Sequence, residues 1–380
     1  MKINFKSALQ TIVFILICGF IFYYVIPSIF NPSEPDTPPS ITSMTTTIPA
    51  YTPPSSILTA ALQTTTPVSS TEPIPQSTEL ISKDFKWEYD GSEWTWNLQI
   101  PKSLYDYYKA LPRTPTRNYS IYVTHPLADT YINSITAKIQ QSAQEKGYSE
   151  FQTISLAIAF VQSFPYTSDS LSTGYDEYPR YPIETLVDNG GDCEDTAILA
   201  ASLIRSLGYG TVLILFPGTP ESPGHCAVGV KGGEGIFGSY YTYDDNKYYY
   251  LETTGSGWEL GEIPEDYKDV SAKIYPMVPV PILTDDWTTE VKGTKVELKV
   301  TVKNLGSTIA KDVYVYAGFD AGNDQCWNHQ ESPLFDLDVD GSVVVTLYLT
   351  PPLGEHTRWV IQIVYDGYAV DESYSTWFDT

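Results

Sequence analysis

The chain has 380 residues, of which 42% are hydrophobic and 14% aromatic, and its formal net charge is −24 from 46 acidic and 22 basic residues. This length accommodates two compact domains besides non-globular segments, and this composition excludes a mostly disordered protein. The negative charge repels phosphate backbones, which argues against nucleic acid as a partner. A solvated acidic surface accounts for the charge, and no motif supports a calcium site.

The hydrophobic N-terminal segment predicts a membrane anchor in residues 1–30. No charged residue lies between Lys6 and Glu34, and the stretch from Ala8 to Phe30 is long enough for a membrane-spanning helix. Bulky residues follow the apolar core where a signal peptide would have small ones. Basic residues precede the span, so we expect a single-pass protein with a cytoplasmic N-terminus and extracytoplasmic folded domains.

Residues 31–82 predict an extended, disordered stalk. Of these 52 residues, 31 are Pro, Ser or Thr, a composition that cannot build a core. Proline favours extended polyproline geometry, which would hold the folded domains away from the membrane. The glycosylation sequon Asn118-Tyr119-Ser120 also suits an external location.

Residues 83–280 predict a first folded domain in which helices precede strands. Apolar residues at helical spacing predict helices over 129–146, 151–164 and 197–207, with a short helix near 103–110. Strand patterns follow at 211–216, 225–230 and 248–253. The tryptophans near the start of this domain, Trp87, Trp94 and Trp96, are interpreted as core anchors rather than a ligand-binding face.

Residues 281–380 predict an antiparallel β-sandwich. Alternating apolar residues predict strands at 296–302, 313–315, 343–349 and 360–365, with Gly, Asp, Asn and Pro turns between them. The short strands without helix signals suggest an immunoglobulin-like layer plan, with a role in binding, spacing or orientation.

The sequence has no CxxC pair of the kind that zinc sites use, since its four cysteines are Cys18, Cys193, Cys226 and Cys326. We therefore predict no metal site and no cofactor. Cys18 lies in the apolar N-terminal segment, so at least one of the other three thiols stays unpaired in a monomer. The sequence leaves open whether Cys226 pairs with Cys326 and what the oligomeric state is.

Cys193 is the candidate nucleophile because it stands where a Gly-Gly-Asp turn enters a helix. The helix N-terminus stabilises a thiolate, so we expect a lowered pKa for this thiol. Asp192 and Asp195 are predicted to cap the helix and hold the turn. The alternative is an inert buried thiol.

His225 is the histidine that opens a strand inside this domain, and it is the candidate base. Glu252 lies among apolar neighbours on a later strand and is the candidate that orients the imidazole; a pair with a surface cation is the alternative. Cys226 is expected to point to the opposite face of the strand from His225 and to have no catalytic role.

The order Cys193, His225, Glu252, with Gly190 to Asp195 at a helix start, resembles the transglutaminase-like superfamily. The similarity spans roughly residues 154–259, and the lead-in Tyr-Pro-Ile-Glu-Thr-Leu at 181–186 resembles the archaeal and bacterial membrane-anchored branch. This sequence departs from the family at the third position, where aspartate is usual.

The resemblance implies an α+β, papain-like fold in which helices pack on an antiparallel sheet. It also implies an oxyanion donor upstream of the nucleophile, for which Gln162 and Tyr166 are candidates. The implied activity is acyl transfer on cell-surface peptides or proteins, with water as acceptor in a peptidase or amidase and an amine in a crosslinking transglutaminase. The competing hypotheses are a non-catalytic adhesion protein and a stalk protein with a redox-active cysteine.

Overall fold

The computed structural model describes residues 78–114, 116–173, 177–218, 224–232, 236–322 and 325–380. The predicted transmembrane anchor and the predicted stalk up to residue 77 lie outside these ranges. Within them, no helix is both long enough and apolar enough to cross a membrane. The first strand begins at Leu80, three residues before the predicted start of the folded domain.

The described α-helices all lie between the second and the third strand of the chain. The α-helices are α1 (Lys102–Ala110), α2 (Ser120–Thr124), α3 (Asp129–Lys146), α4 (Glu150–Gln162), α5 (Asp169–Ser172), α6 (Pro182–Asp188) and α7 (Cys193–Ser206). Short 3₁₀ helices span Pro126–Ala128 and Glu265–Tyr267. The strands before residue 280 are β1 (Leu80–Tyr89), β2 (Ser92–Pro101), β3 (Thr211–Phe216), β4 (His225–Lys231), β5 (Tyr240–Tyr243), β6 (Asn246–Leu251) and β7 (Lys273–Pro276).

The aromatic segment after the stalk forms an antiparallel hairpin of β1 and β2. Asp90 and Gly91, both with positive φ, make its turn. Trp87 and Trp96 are buried, and the ring of Trp87 lies 5.1 Å from that of Phe160 on α4. The interpretation of these tryptophans as core residues is thus confirmed.

A five-stranded antiparallel sheet carries the site, in the order β5-β6-β4-β3-β7. Phe216 at the end of β3 pairs with His225 at the start of β4, and Val228 pairs with Leu251 at the end of β6. Helix α7 packs against β3 and β4 through its apolar face, where Ala197 and Ala201 are fully buried. This packing brings the N-terminus of α7 to the sheet.

The strands after residue 280 form antiparallel sheets around a second core. They are β8 (Leu283–Lys292), β9 (Lys295–Asn304), β10 (Ala310–Gly322), β11 (Gln325–Glu331), β12 (Phe335–Leu337), β13 (Ser342–Leu349), β14 (His356–Thr357), β15 (Trp359–Tyr365), β16 (Tyr368–Tyr374) and β17 (Phe378–Asp379). One sheet has the order β13-β9-β8 and another β11-β10-β15-β16, with β12 on β10. Their alternating apolar residues, such as Val300, Phe319 and Ile361, share one buried cluster.

Buried polar contacts join this second core to the first part of the chain. The Oδ2 atom of Asp340 accepts hydrogen bonds from the Tyr107 hydroxyl and from Nε2 of His125, the latter at 3.0 Å. Thr124 donates to the hydroxyl of Ser307 at 2.7 Å. These groups are satisfied away from water, which favours one fixed arrangement of the two parts.

The predicted fold class was wrong. The structure is 41% strand and 26% helix, consists mostly of antiparallel sheets, and does not show a papain-like core of helices on a sheet. An immunoglobulin-like plan is not shown either. The error has a physical origin: the architecture came from the motif around Cys193, whereas β1, β2 and the ten strands after residue 280 follow from period-two alternation outside that motif.

Candidate active site

Cys193 is the first residue of α7, and a tight turn fixes its position. Oδ2 of Asp195 accepts a hydrogen bond from the backbone N–H of Asp192 at 3.3 Å, and the two form a capping box. A side chain at Gly191 would collide with the carboxylate of Asp195, so only glycine fits there. The neighbouring backbone is tied down where Thr167 N–H donates to the Gly191 carbonyl at 2.8 Å.

His225 and Glu252 form a buried hydrogen-bonded pair. The distance from His225 Nε2 to Glu252 Oε2 is 2.9 Å, and the side chains are 8% and 2% exposed. Because an ionised carboxylate can only accept, Nε2 donates the hydrogen bond to Glu252. In the neutral form of the imidazole the lone pair is therefore on Nδ1, and that atom can accept a proton.

Glu252 is held ionised by several donors. The Tyr250 hydroxyl donates to Oε2 at 2.7 Å, while Oε1 accepts from the backbone N–H groups of Thr253 and Thr254 and from the Thr254 hydroxyl. Burial alone would raise the pKa of Glu252, but the hydrogen bonds and charge of His225, with the hydrogen bonds from Thr254, outweigh it and lower the pKa to about 2. The carboxylate of Glu252 is thus held in the ionised form that accepts the hydrogen bond from His225.

The lowered pKa of Glu252 predicts an acid-dependent loss of stability. A depressed folded-state pKa gives stability that is present above the ordinary value of 4.5 and is lost as pH falls towards about 2. We expect this group to contribute about 3 kcal/mol near neutral pH. Urea unfolding of the wild type and Glu252→Gln, from about pH 6 to about pH 2, should show a steeper acid loss in the wild type. If the free energy of unfolding fell equally with pH in the wild type and in Glu252→Gln, the lowered pKa would not belong to Glu252.

The thiol of Cys193 is surrounded by groups that oppose its ionisation. Burial raises its pKa well above the usual range, and the charges of Glu194, Cys226 and Asp192 add to the rise, against a hydrogen bond from the Cys226 backbone. The thiol donates to Oε2 of Glu194 at 3.3 Å. The expectation of a lowered pKa from the helix N-terminus was therefore wrong, since desolvation outweighs the dipole. The thiol needs a base to remove its proton.

Cys193 and His225 line one open cleft of about 1020 Å³. The hydrogen bond from the Cys226 backbone to the Cys193 sulfur places the thiol beside the residue that follows His225 on β4. The described cysteines outside the N-terminal segment are all free thiols, so Cys226 and Cys326 do not pair. Thiol, imidazole and carboxylate are thus brought to one place by α7, β4 and the end of β6.

The two oxyanion candidates differ in their surroundings. Nε2 of Gln162 donates to the backbone carbonyl of Glu252 at 2.8 Å and to that of Trp258 at 3.0 Å, so both amide hydrogens are used. Gln162 therefore pins the end of the acid-bearing strand and has no free donor for an oxyanion. Tyr166 is 48% exposed and lines the cleft together with Cys193.

A buried cluster of carboxylates lies behind the nucleophile. Oxygens of Asp169, Asp192 and Asp195 all lie within 4.8 Å of one another, a spacing that could hold a cation. The guanidinium of Arg180, itself 2% exposed, already binds Asp195 and binds Asp169 at 3.0 Å. Burial and the charge of Asp192 raise the pKa of Asp195 to about 8, against the opposing effect of Arg180.

The sequence-based interpretation missed several residues around the site. Tyr250 could have been found, because it lies two residues before Glu252 on a strand and so shares its face. Glu194 is buried, and its carboxylate accepts the hydrogen bond of the Cys193 thiol. Arg180 and Tyr267 carry no sequence signal, because their contacts with the site come from tertiary packing.

No family model matches the sequence, and no curated protein matches it. Solved structures that are similar include LapG of Legionella pneumophila, in an EGTA-treated form, at 19% identity and a TM-score of 0.25 over 37% of this chain and 81% of LapG. The CARDB domain of the PF1109 protein from Pyrococcus furiosus, solved with di-metal ions, has 19% identity and a TM-score of 0.20 over 26% of this chain and 85% of that domain. A β-glucosidase from Kluyveromyces marxianus has 13% identity and a TM-score of 0.19, covering 26% of this chain and 15% of its own.

Proposed function

We propose that the protein is a cysteine-dependent acyl-transfer enzyme that acts as a peptidase or amidase. The observation that carries the proposal is the buried pair of His225 and Glu252, 2.9 Å apart, of which His225 lines the same cleft as Cys193. In this proposal the thiol of Cys193 is the nucleophile, the imidazole of His225 is the base, and the carboxylate of Glu252 orients the imidazole.

The proposed reaction begins with general-base activation. Nδ1 of His225 accepts the thiol proton as the Cys193 sulfur attacks the carbonyl carbon, and Glu252 stabilises the imidazolium that forms. The N–H of Cys193 is one of the unsatisfied donors of the first helical turn and is suited to the developing oxyanion. The amine leaves with the proton from His225, and a thioester remains. Water then attacks the thioester, giving His225 a proton, and releases the acid and the thiol.

The proposed setting is the cell surface. The apolar segment up to Phe30 would anchor the chain, and the Pro, Ser and Thr-rich stalk would present the cleft to peptides or proteins outside the membrane. The strands after residue 280 would orient the first domain through the polar contacts of Asp340.

Peptide cleavage by the full chain tests this function. We expect the wild type to cleave members of a mixture of unmodified peptides, with each product pair gaining one water by mass spectrometry. Cys193→Ala should abolish cleavage, because it removes the thiol that attacks the carbonyl carbon in the proposed reaction. Cys326→Ala is the matched control, since this half-buried thiol lies on β11, among the strands after residue 280, and it should cleave like the wild type.

The same assay separates the acyl acceptors. With methylamine present, a crosslinking transferase would give amide adducts in preference to hydrolysis products. Peptide cleavage that persists in Cys193→Ala would contradict the proposed cysteine mechanism. No reaction of any peptide with the wild type would favour the non-catalytic binding protein.

A further inference from the structure

The ring of Tyr267 stacks flat on the imidazole of His225. The ring centroids are 4.5 Å apart and the planes are inclined by 12°. Tyr267 ends a short 3₁₀ turn, and its backbone N–H donates to the Pro264 carbonyl at 3.0 Å. The stacking ring therefore comes from a loop segment outside the strands that carry His225 and Glu252.

A second aromatic ring supports this stack. The ring centroid of Phe216 lies 4.9 Å from that of Tyr267 and 6.3 Å from that of His225. Phe216 pairs with His225 across β3 and β4, so the sheet fixes its position. The imidazole is thereby held by an aromatic face and by its bond to Glu252, which leave it little freedom to rotate.

We propose that Tyr267 is a positioning residue whose aromatic face holds the His225 ring and stabilises it while it carries the thiol proton. The inference rests on the proposed function, in which the imidazole becomes positively charged during acyl transfer. A cation is attracted to the face of an aromatic ring within about 6 Å of its centroid. The neutral ground state gains less from this contact, so the stack favours the transition state.

The aromatic face is sufficient for this role. Among the described residues, the Tyr267 hydroxyl has no hydrogen-bond partner, although burial raises its pKa to about 12 with help from the charges of Cys193 and Glu252. Phenylalanine should therefore replace tyrosine at this position, whereas an aliphatic side chain should not.

Steady-state peptide cleavage by the full chain tests the proposal. We expect Tyr267→Leu to lower kcat about tenfold with KM within about twofold of the wild type, and Tyr267→Phe to stay within about twofold in both. Tyr241→Leu is the matched control, because Tyr241 contacts the same Phe216 at 6.0 Å without stacking on His225. It should leave kcat within about twofold of the wild type. Tyr267→Met serves as a second aliphatic variant if Tyr267→Leu does not fold.

An NMR measurement separates this proposal from the proposed function. The Nε2–H resonance of His225 should be sharp and slow to exchange in the wild type and Tyr267→Phe, and broadened by exchange in Tyr267→Leu. Equal Nε2–H behaviour in all three proteins, or equal kcat in wild type and Tyr267→Leu, would overturn the proposal. A wild type without cleavage but with the expected NMR pattern would remove the catalytic role and leave the positioning role established.

Discussion

His225→Ala is expected to lower kcat/KM for peptide cleavage by about 10³-fold. The reason is the raised pKa of the Cys193 thiol: at neutral pH the thiol keeps its proton unless a base removes it during attack. In the proposed mechanism this base is Nδ1 of His225, since Nε2 is committed to Glu252. The loss should appear in kcat and kcat/KM alike, because the interaction forms only in the transition state.

The matched control for this variant is His329→Ala. His329 is an exposed residue on β11 that stacks on Tyr316, and its substitution should leave kcat/KM within about twofold of the wild type. The double variant His225→Ala with Glu252→Ala should be little worse than His225→Ala alone, since both act as one unit. Additive losses from His225 and Glu252 would show that they act independently.

Arg180→Met is expected to destabilise the fold by about 3–5 kcal/mol near pH 8. The substitution leaves Asp169 and Asp195 buried without their cation, and it also removes the contact to Asp188 at 3.3 Å. Burial already raises the pKa of Asp169 to about 6 and that of Asp195 to about 8. These carboxyl groups should take up protons as pH falls, so the loss should shrink at about pH 5.

Urea unfolding of the wild type and two arginine variants measures this effect. Arg205→Met is the matched control, because the Arg205 side chain is 37% exposed and pairs with Asp129 at 3.6 Å on the surface. It should cost no more than about 1 kcal/mol at either pH. Equal losses for Arg180→Met and Arg205→Met, or a loss from Arg180→Met that grows on acidification, would contradict the role of the cluster.

The local features of the site could be predicted from the sequence. The helix that begins at Cys193 follows from its Gly-Gly-Asp turn and apolar repeat, and the strands of His225 and Glu252 follow from strand patterns. The predicted strand at 248–253 contained Glu252, whereas β6 ends one residue before it, at Leu251. Antiparallel pairing brings the start of one strand next to the end of its neighbour. Because β4 and β6 pair in this way, the contact between His225 and Glu252 could be predicted from the sequence.

The environment of the site could not be predicted in the same way. Gln162 and Glu252 are 90 residues apart in sequence, and their contact depends on how α4 packs against the end of β6. The pKa of Cys193 depends on burial, which outweighs the helix dipole that the sequence makes visible. The prediction of the overall architecture was wrong for a related reason: a motif of a few residues near Cys193 does not determine how many strands surround it.

Trapping of an acyl-enzyme tests the central claim most directly. The full chain would be mixed with an activated ester, quenched in acid and digested, and the site of acylation would be located by mass spectrometry. We expect a thioester on Cys193 within the first turnover, a greatly slowed formation in His225→Ala, and none on Cys226 or Cys326. Acylation spread over all three thiols at the rate of a free thiol would contradict the account.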